Sequence, residues 1–319
     1  MDKLLYIIAW VFMKSLQALP LRGVARLGRA GGGLAYWLDK RHRKVATENL
    51  THCFGDSMSR EQIREIAKEN FRRLGENYAC GIKTAAMTFE ELQPHCEFIG
   101  AEKLFPPGSP TPPPNRVVAI GHFGNFELYA RFGQLVPAYQ CATTYRGLRQ
   151  ASLNKLMQSM REKSGCFFFE RRTDAKLLKD AMARSGMILG LLSDQHAGDR
   201  GLRLPFFGRD CSVSAAPAVL ALRYQCHLHT GICYRVGLAQ WRIEVGSEIP
   251  TTFRGEPRPV EDITREINLA LEEAITRDPA NWFWVHNRWK AQKFRGGEAT
   301  KIASAARTTI PITDLEAEP

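Results

Sequence analysis

Residues 119–127 read AIGHFGNFE and set His122 and Glu127 five positions apart, directly after an apolar run. An imidazole held by a carboxylate takes a proton from a hydroxyl or a water. With Glu127 in the first turn of a following helix, the glutamate would fix the His122 tautomer and stabilise the imidazolium that forms. Gly121 and Gly124 leave room beside the ring. The stretch holds no serine or cysteine. That disfavours a covalent triad and favours direct attack by a bound alcohol on an acyl carbonyl, the oxyanion then needing an arginine or backbone N–H groups. Taken alone, the pair is also compatible with a polar bridge at a helix start. With Asp194 and His196 it would make a ligand set for a divalent metal.

The surrounding pattern says what must carry these groups. Val117 to Ile120 is a short continuous apolar run, the mark of a strand buried on both faces, and His122 lies where it ends. A second such run, residues 187–193, ends at Asp194. The carboxyl edge of an open α/β sheet is where ligands bind, so both polar residues are expected at that edge. Phe126 to Phe132 reads as helix, and 173–186 as a helix capped by Thr173 with Gly186 past its end. Residues 227–236 and 240–245 read as strands, and 259–278 as a long amphipathic helix. Strands alternating with helices predict an α/β fold, an open and mostly parallel sheet flanked by helices.

Ahead of the sheet, residues 21–50 read as helix broken by Gly31 to Gly33. Ser59 with Gln62 and Thr88 with Glu91 form capping boxes for two further helices. Residues 105–115 are proline-rich, a surface loop inserted within one catalytic unit. The expected organisation is a membrane-associated helix over 1–20, a catalytic domain over 21–295 and a disordered tail over 296–319.

The formal net charge of the 319 residues is +11, which calls for polyanionic partners. Arg22, Arg26, Arg29, Lys40, Arg41, Arg43 and Lys44 follow an apolar segment, residues 4–20, an arrangement suited to an anionic membrane surface. Nucleic acid is not expected, since no RNA-recognition, zinc-finger or basic-zipper motif is present. Lys14 argues against a fully buried span, so residues 4–20 are expected to lie in or dip into the membrane, a short signal-anchor span being the alternative. The eight cysteines form no CxxC pair and read as reduced thiols in a cytosolic setting, and Cys226, His227, His229 and Cys233 match no zinc spacing.

Several ordered stretches carry a resemblance. HFGNFE at 122–127 is similar to the HxxxxD/E motif of the lysophospholipid-type acyltransferases. RHRKVATENLTHCFGD at 41–56, TYRGLRQ at 144–150, ERRTDAKLLKDAM at 170–182, LLSDQHAGDRGLRLPFFG at 191–208 and WFWVHNRWK at 282–290, closing on HxRWK at His286, Arg288 and Lys290, resemble the lauroyl/myristoyl transferases, the late acyltransferases of lipid A biosynthesis. The resemblance implies transfer of a fatty acyl chain from acyl-carrier protein or acyl-CoA to a hydroxyl of a membrane glycolipid, most simply a lipid A precursor. It implies no cofactor and no metal. It also implies an inner-membrane location with the catalytic domain facing the cytoplasm. A mannosylated phosphatidylinositol acceptor is the alternative. By position, the resemblance makes His122 and Glu127 the catalytic dyad, and Arg172, Asp194, Gln195 and Arg146 the substrate-binding residues.

Overall fold

The computed structural model describes residues 2–290 except 107 and 137, so the expected tail lies outside the described residues. Four helices come first: α1 (Asp2–Ala18), α2 (Leu21–Leu38), α3 (Lys40–Phe54) and α4 (Arg60–Thr84). Both capping boxes form, Ser59–Gln62 opening α4 and Thr88–Glu91 opening the short α5 (Phe89–Leu92). The expected break at Gly31 to Gly33 does not occur, and α2 runs unbroken to Leu38. Packing explains why. A Cβ on Gly32 would stand 2.1 Å from the Phe71 carbonyl oxygen, and one on Gly75 2.1 Å from that of Gly28. The glycines let α2 and α4 touch backbone to backbone, and that contact outweighs their poor helix propensity.

The rest alternates strands with helices: β1 (Cys96–Ile99), β2 (Arg116–Ile120), a 3-10 segment (Phe126–Leu135), β3 (Gln140–Tyr145), α6 (Ala151–Arg161), β4 (Phe167–Glu170), α7 (Ala175–Met182) and β5 (Met187–Leu192). A hairpin of β6 (Leu202–Phe206) and β7 (Arg209–Val213), then α8 (Ala216–Arg223), β8 (His227–Gly237), β9 (Gln240–Val245) and α9 (Val260–Arg277) complete it. Two readings shift in detail. The segment after His122 is a 3-10 rather than an α-helix, and Asp174, not Thr173, occupies the cap position of α7.

Seven strands form one sheet in the order β1-β9-β8-β2-β5-β3-β4. All neighbours pair in parallel except β8 with β9. The proline-rich loop joins β1 to β2, strands of that same sheet. In β2, Val117 and Ala119 enter the larger core cluster, with the N-terminal helices, α8 and α9, while Val118 and Ile120 enter the cluster on the opposite face. A strand buried on both faces must be apolar throughout, which is what made this one visible in the sequence.

Candidate active site

Strand register brings the site together. β2 pairs with β5 so that Ile120 lies opposite Leu192. His122 and Asp194 each stand two residues past that pair, and the ladder is extended by Ser193 N–H donating to the Ile120 carbonyl at 3.0 Å. The Asp194 carboxylate meets His122 twice: Oδ1 lies 2.8 Å from Nδ1, and Oδ2 accepts from the His122 backbone N–H at 2.8 Å. Trp282 Nε1–H donates to the same Oδ2 at 2.7 Å.

Asp194 is 1% exposed. Burial alone would raise its carboxyl, but the His122 charge, the two His122 hydrogen bonds and the Trp282 indole outweigh it and bring the group down to about 2. An ionised carboxylate only accepts, so Nδ1 of His122 carries the proton. In the neutral ring Nε2 is then the acceptor, free for a ligand. Phe126 and Phe283 flank the ring, their centroids 5.0 and 5.7 Å from its own.

This pairing differs from the expected dyad. The carboxylate that orients His122 is Asp194, from the next strand, rather than Glu127. Glu127 turns instead to Arg161, at the end of α6, which donates to it from Nη2 at 2.8 Å and from Nε at 3.3 Å. A 3-10 segment, narrower than an α-helix, follows the histidine. The Arg161 guanidinium stacks over Phe168 at 4.6 Å and Tyr145 at 5.7 Å, and its Nη1 is buried with no hydrogen-bond partner in the protein. Asp194, expected among the substrate-binding residues, is buried behind the ring it holds.

A cavity of about 980 Å³ opens over the His122 side of the sheet. His122, Glu127, Arg146, Arg161, Arg172 and Gln195 all border it, whereas Asp194 does not. Arg146 and Arg172 are exposed at its wall, and the Arg172 backbone N–H is tied to Glu170 at 2.7 Å. The floor is apolar, with Val118, Ile120, Phe132, Ile188 and Val245. Gly190 and Gly231, on the strands either side of β2, keep that floor open. A Cβ on Gly231 would crowd Ile120 and Val118 at 3.1 Å, and one on Gly190 would meet Ile120 at 3.3 Å.

The segment after α9 braces the site. Asn70 Nδ2 donates to the Ala280 and Trp282 carbonyls at 3.0 and 2.6 Å, and Asn49 Nδ2 to those of Trp284 and His286 at 2.9 and 2.8 Å. Trp282, Trp284 and Trp289 are buried in the larger core cluster. Phe206 is core, stacked beneath the Arg288 guanidinium. Arg288 is itself fully buried and donates to the Gln195 and Ser212 carbonyls at 2.7 and 2.6 Å, which fixes the turn after Asp194. His286 Nε2 accepts from the His196 N–H at 2.9 Å, and burial pushes this imidazole down to about 4.

Sequence reasoning missed Arg161 and Trp282. Arg161 lies in no motif, Trp282 opens the stretch WFWVHNRWK without marking itself as a site residue, and only tertiary contact brings them to the site. Among the described residues no three His, Cys, Asp or Glu side chains gather to hold a metal ion, so the set His122, Glu127, Asp194 and His196 is not assembled. Of the thiols bordering the cavity, Cys141 is pushed up to about 12 by burial and Cys166 is pushed up further by the same cause. Both stay protonated at neutral pH and are poor nucleophiles.

A paired histidine over an apolar cavity suits reaction of a lipid with a hydroxyl. The model of the bacterial lipid A biosynthesis acyltransferase family matches residues 1–291. The chain belongs to this family. It is an acyltransferase, and the family's process is lipid A, hence lipopolysaccharide, biosynthesis. None of the curated proteins matches the chain.

Proposed function

We propose that the chain transfers a fatty acyl group from a thioester, on acyl-carrier protein or CoA, to a hydroxyl of a lipid A precursor, with His122 as general base. The His122–Asp194 pair facing an apolar cavity carries the reading. The acceptor hydroxyl gives its proton to Nε2 as its oxygen attacks the thioester carbonyl. The imidazolium is stabilised by Asp194, and collapse of the tetrahedral intermediate expels the thiolate, which recovers the proton from Nε2–H. Arg161 Nη1, buried and unpaired, supplies a charged donor for the oxyanion, and Glu127 holds that guanidinium in place. Arg146, Arg172 and Gln195 meet the phosphates of carrier or acceptor at the cavity wall.

We also infer that α1 lies in the plane of the membrane. Among the described residues no helix is long and apolar enough to cross one. Met13 and Leu16 fasten α1 to the body, while Leu4, Ile7, Ile8, Val11 and Phe12 face outward. On α2, Leu27, Leu34, Trp37 and Leu38 are also exposed, with Arg22, Arg26 and Arg41 exposed on or beside the same helix. Apolar faces edged with cations suit the anionic inner leaflet of the cytoplasmic membrane, where thioester donors are at hand.

The test is purified enzyme given acyl-CoA or acyl-carrier protein with a lipid A precursor, the product read by mass spectrometry. One added acyl mass, lost in His122→Ala of unchanged melting temperature, is expected. Transfer undiminished in that variant would overturn the base assignment.

A further inference from the structure

Behind Glu127 lies a second cavity, of about 280 Å³, walled by α4, the 3-10 segment and α6. We propose that it receives the hydrocarbon chain of the acceptor, the chain that bears the attacking hydroxyl, leaving the larger cavity to the donor. This rests on the acyl-transfer reading and adds a site to it.

Continuity comes first. Phe126 and Glu127 belong to the walls of both cavities, and the Phe126 ring centroid is 5.0 Å from that of His122. A chain emerging from the smaller cavity passes beside the base. Its volume is below the range of a whole drug-sized ligand, so it takes part of a lipid and leaves the headgroup outside.

The lining indicates the kind of chain. Ile82, Ala85, Leu128, Met157 and Met160 make the cavity largely apolar. Asn77, 5% exposed, also lines it, and its Oδ1 is buried with no donor. An unpaired buried carbonyl oxygen is costly, and a hydroxyl or amide N–H on the ligand would pair it. The combination favours a hydroxyacyl or acylamide chain over a plain fatty chain. Gly81 adds room at the Glu127 end, because a Cβ there would only reach ordinary contact, 3.4 Å from Asn125 Oδ1 and 3.7 Å from Glu127 Cγ.

Position separates acceptor from donor. α1 lies across the two helices that wall the smaller cavity. Gln17 Nε2 donates to the Ile82 carbonyl at 3.3 Å, Lys83 Nζ to that of Gln17 at 2.6 Å, and Ser152 Oγ to Asp2 Oδ1 at 2.7 Å. The smaller cavity therefore adjoins the outward apolar helix, the side from which a bilayer lipid arrives. The exposed arginines Arg146 and Arg172 line the larger cavity alone, as a phosphate-bearing carrier arm requires.

The experiment uses the full chain in non-ionic detergent with 3-hydroxytetradecanamide carrying a diazirine near the chain end and an alkyne for capture. After photolysis, labelled peptides are mapped by mass spectrometry. Saturable labelling on α4 and α6 is expected. Met160→Trp, whose side chain lines only the smaller cavity, should cut it at least about tenfold. Ala85→Leu is the second obstruction, and melting curves show which variants remain folded. Labelling on β2 or β5, no saturable labelling, or labelling unchanged in a folded obstructed variant would overturn the proposal. Because labelling needs no turnover, its failure is distinct from failure of the acyl-transfer assay.

Discussion

The Trp282 indole donates to Asp194 Oδ2 at 2.7 Å, so the carboxylate behind His122 is shared between the imidazole and a residue 88 positions further along the chain. The other groups whose charge reaches Asp194 are Tyr129, His286 and Arg288. Trp282→Phe removes the donor and keeps an aromatic ring. Negative charge then concentrates on the carboxylate and favours the protonated imidazole. The acid limb of the pH–rate profile should move to higher pH. A Trp282 that merely fills space would lower activity with the limb in place, and pH-dependent kcat/KM decides between the two.

Removing the partner carboxylate tests the His122–Asp194 pairing. Asp194→Asn lets the ring take the wrong tautomer and loses charge stabilisation, and kcat should fall by about 10²–10⁴-fold. Glu127→Gln leaves the ring's partner in place and should cost less. If Glu127→Gln proves the more damaging in folded protein, Asp194 is not the orienting group.

Arg161 and Glu127 should behave as a coupled pair. Arg161→Lys keeps the charge but loses the fork that spans Glu127 and the free Nη1. A drop of about 10²–10³-fold in kcat, with a smaller change in acceptor KM, is expected. The double variant with Glu127→Gln should be little worse than Arg161→Lys alone. Additive losses in a double-mutant cycle would separate their roles.

His286 gives the protein an acid-sensitive stability. Its imidazole is held at about 4 when folded, against an ordinary value of about 6.5. As pH falls between these, the unfolded chain takes up a proton that the folded chain refuses, so stability is lost as pH falls. Above about pH 6.5 both forms are neutral and the group contributes no pH dependence. His286→Asn should flatten the decline of melting temperature between pH 6.5 and 4, and a decline as steep as in the parent would assign it to other groups.

Gly231 should limit donor length if the acyl tail lies on the apolar floor. An added methyl would meet Ile120 and Val118 at 3.1 Å, narrowing the cavity there. Gly231→Ala should lose about tenfold in kcat/KM for a long acyl-CoA relative to one two carbons shorter, the scale at which hydrophobic pockets count methylenes. An unaltered chain-length profile in folded variant would place the tail elsewhere.

The central strands were legible because burial on both faces forces an uninterrupted apolar run, and their ends pointed to His122 and Asp194 separately. Their pairing was not legible. It depends on Ile120 lying opposite Leu192, and register is a property of two strands rather than of either sequence. The five-residue spacing of His122 and Glu127 pointed to a partner other than the one the ring is bonded to, since spacing within a motif says nothing about a carboxylate seventy residues away. Glycines misled in the other direction. Gly31 to Gly33 signal a break by propensity, yet the contact with α4 that rewards Gly32 is visible only once both helices are folded.

The asparagine ties have a consequence for the order of synthesis. Asn49 and Asn70 leave the ribosome early, His122 and Asp194 midway, and the carbonyls and indole of 280–286 only after all of them. Through most of translation the base exists without its full support. A chain arrested before residue 280 would carry His122, Asp194, Glu127 and Arg161, yet lack the indole on Asp194, the His286 side of the cavity and the brace on both flanking helices. Competence thus arrives late in synthesis, when nearly the whole chain has been made.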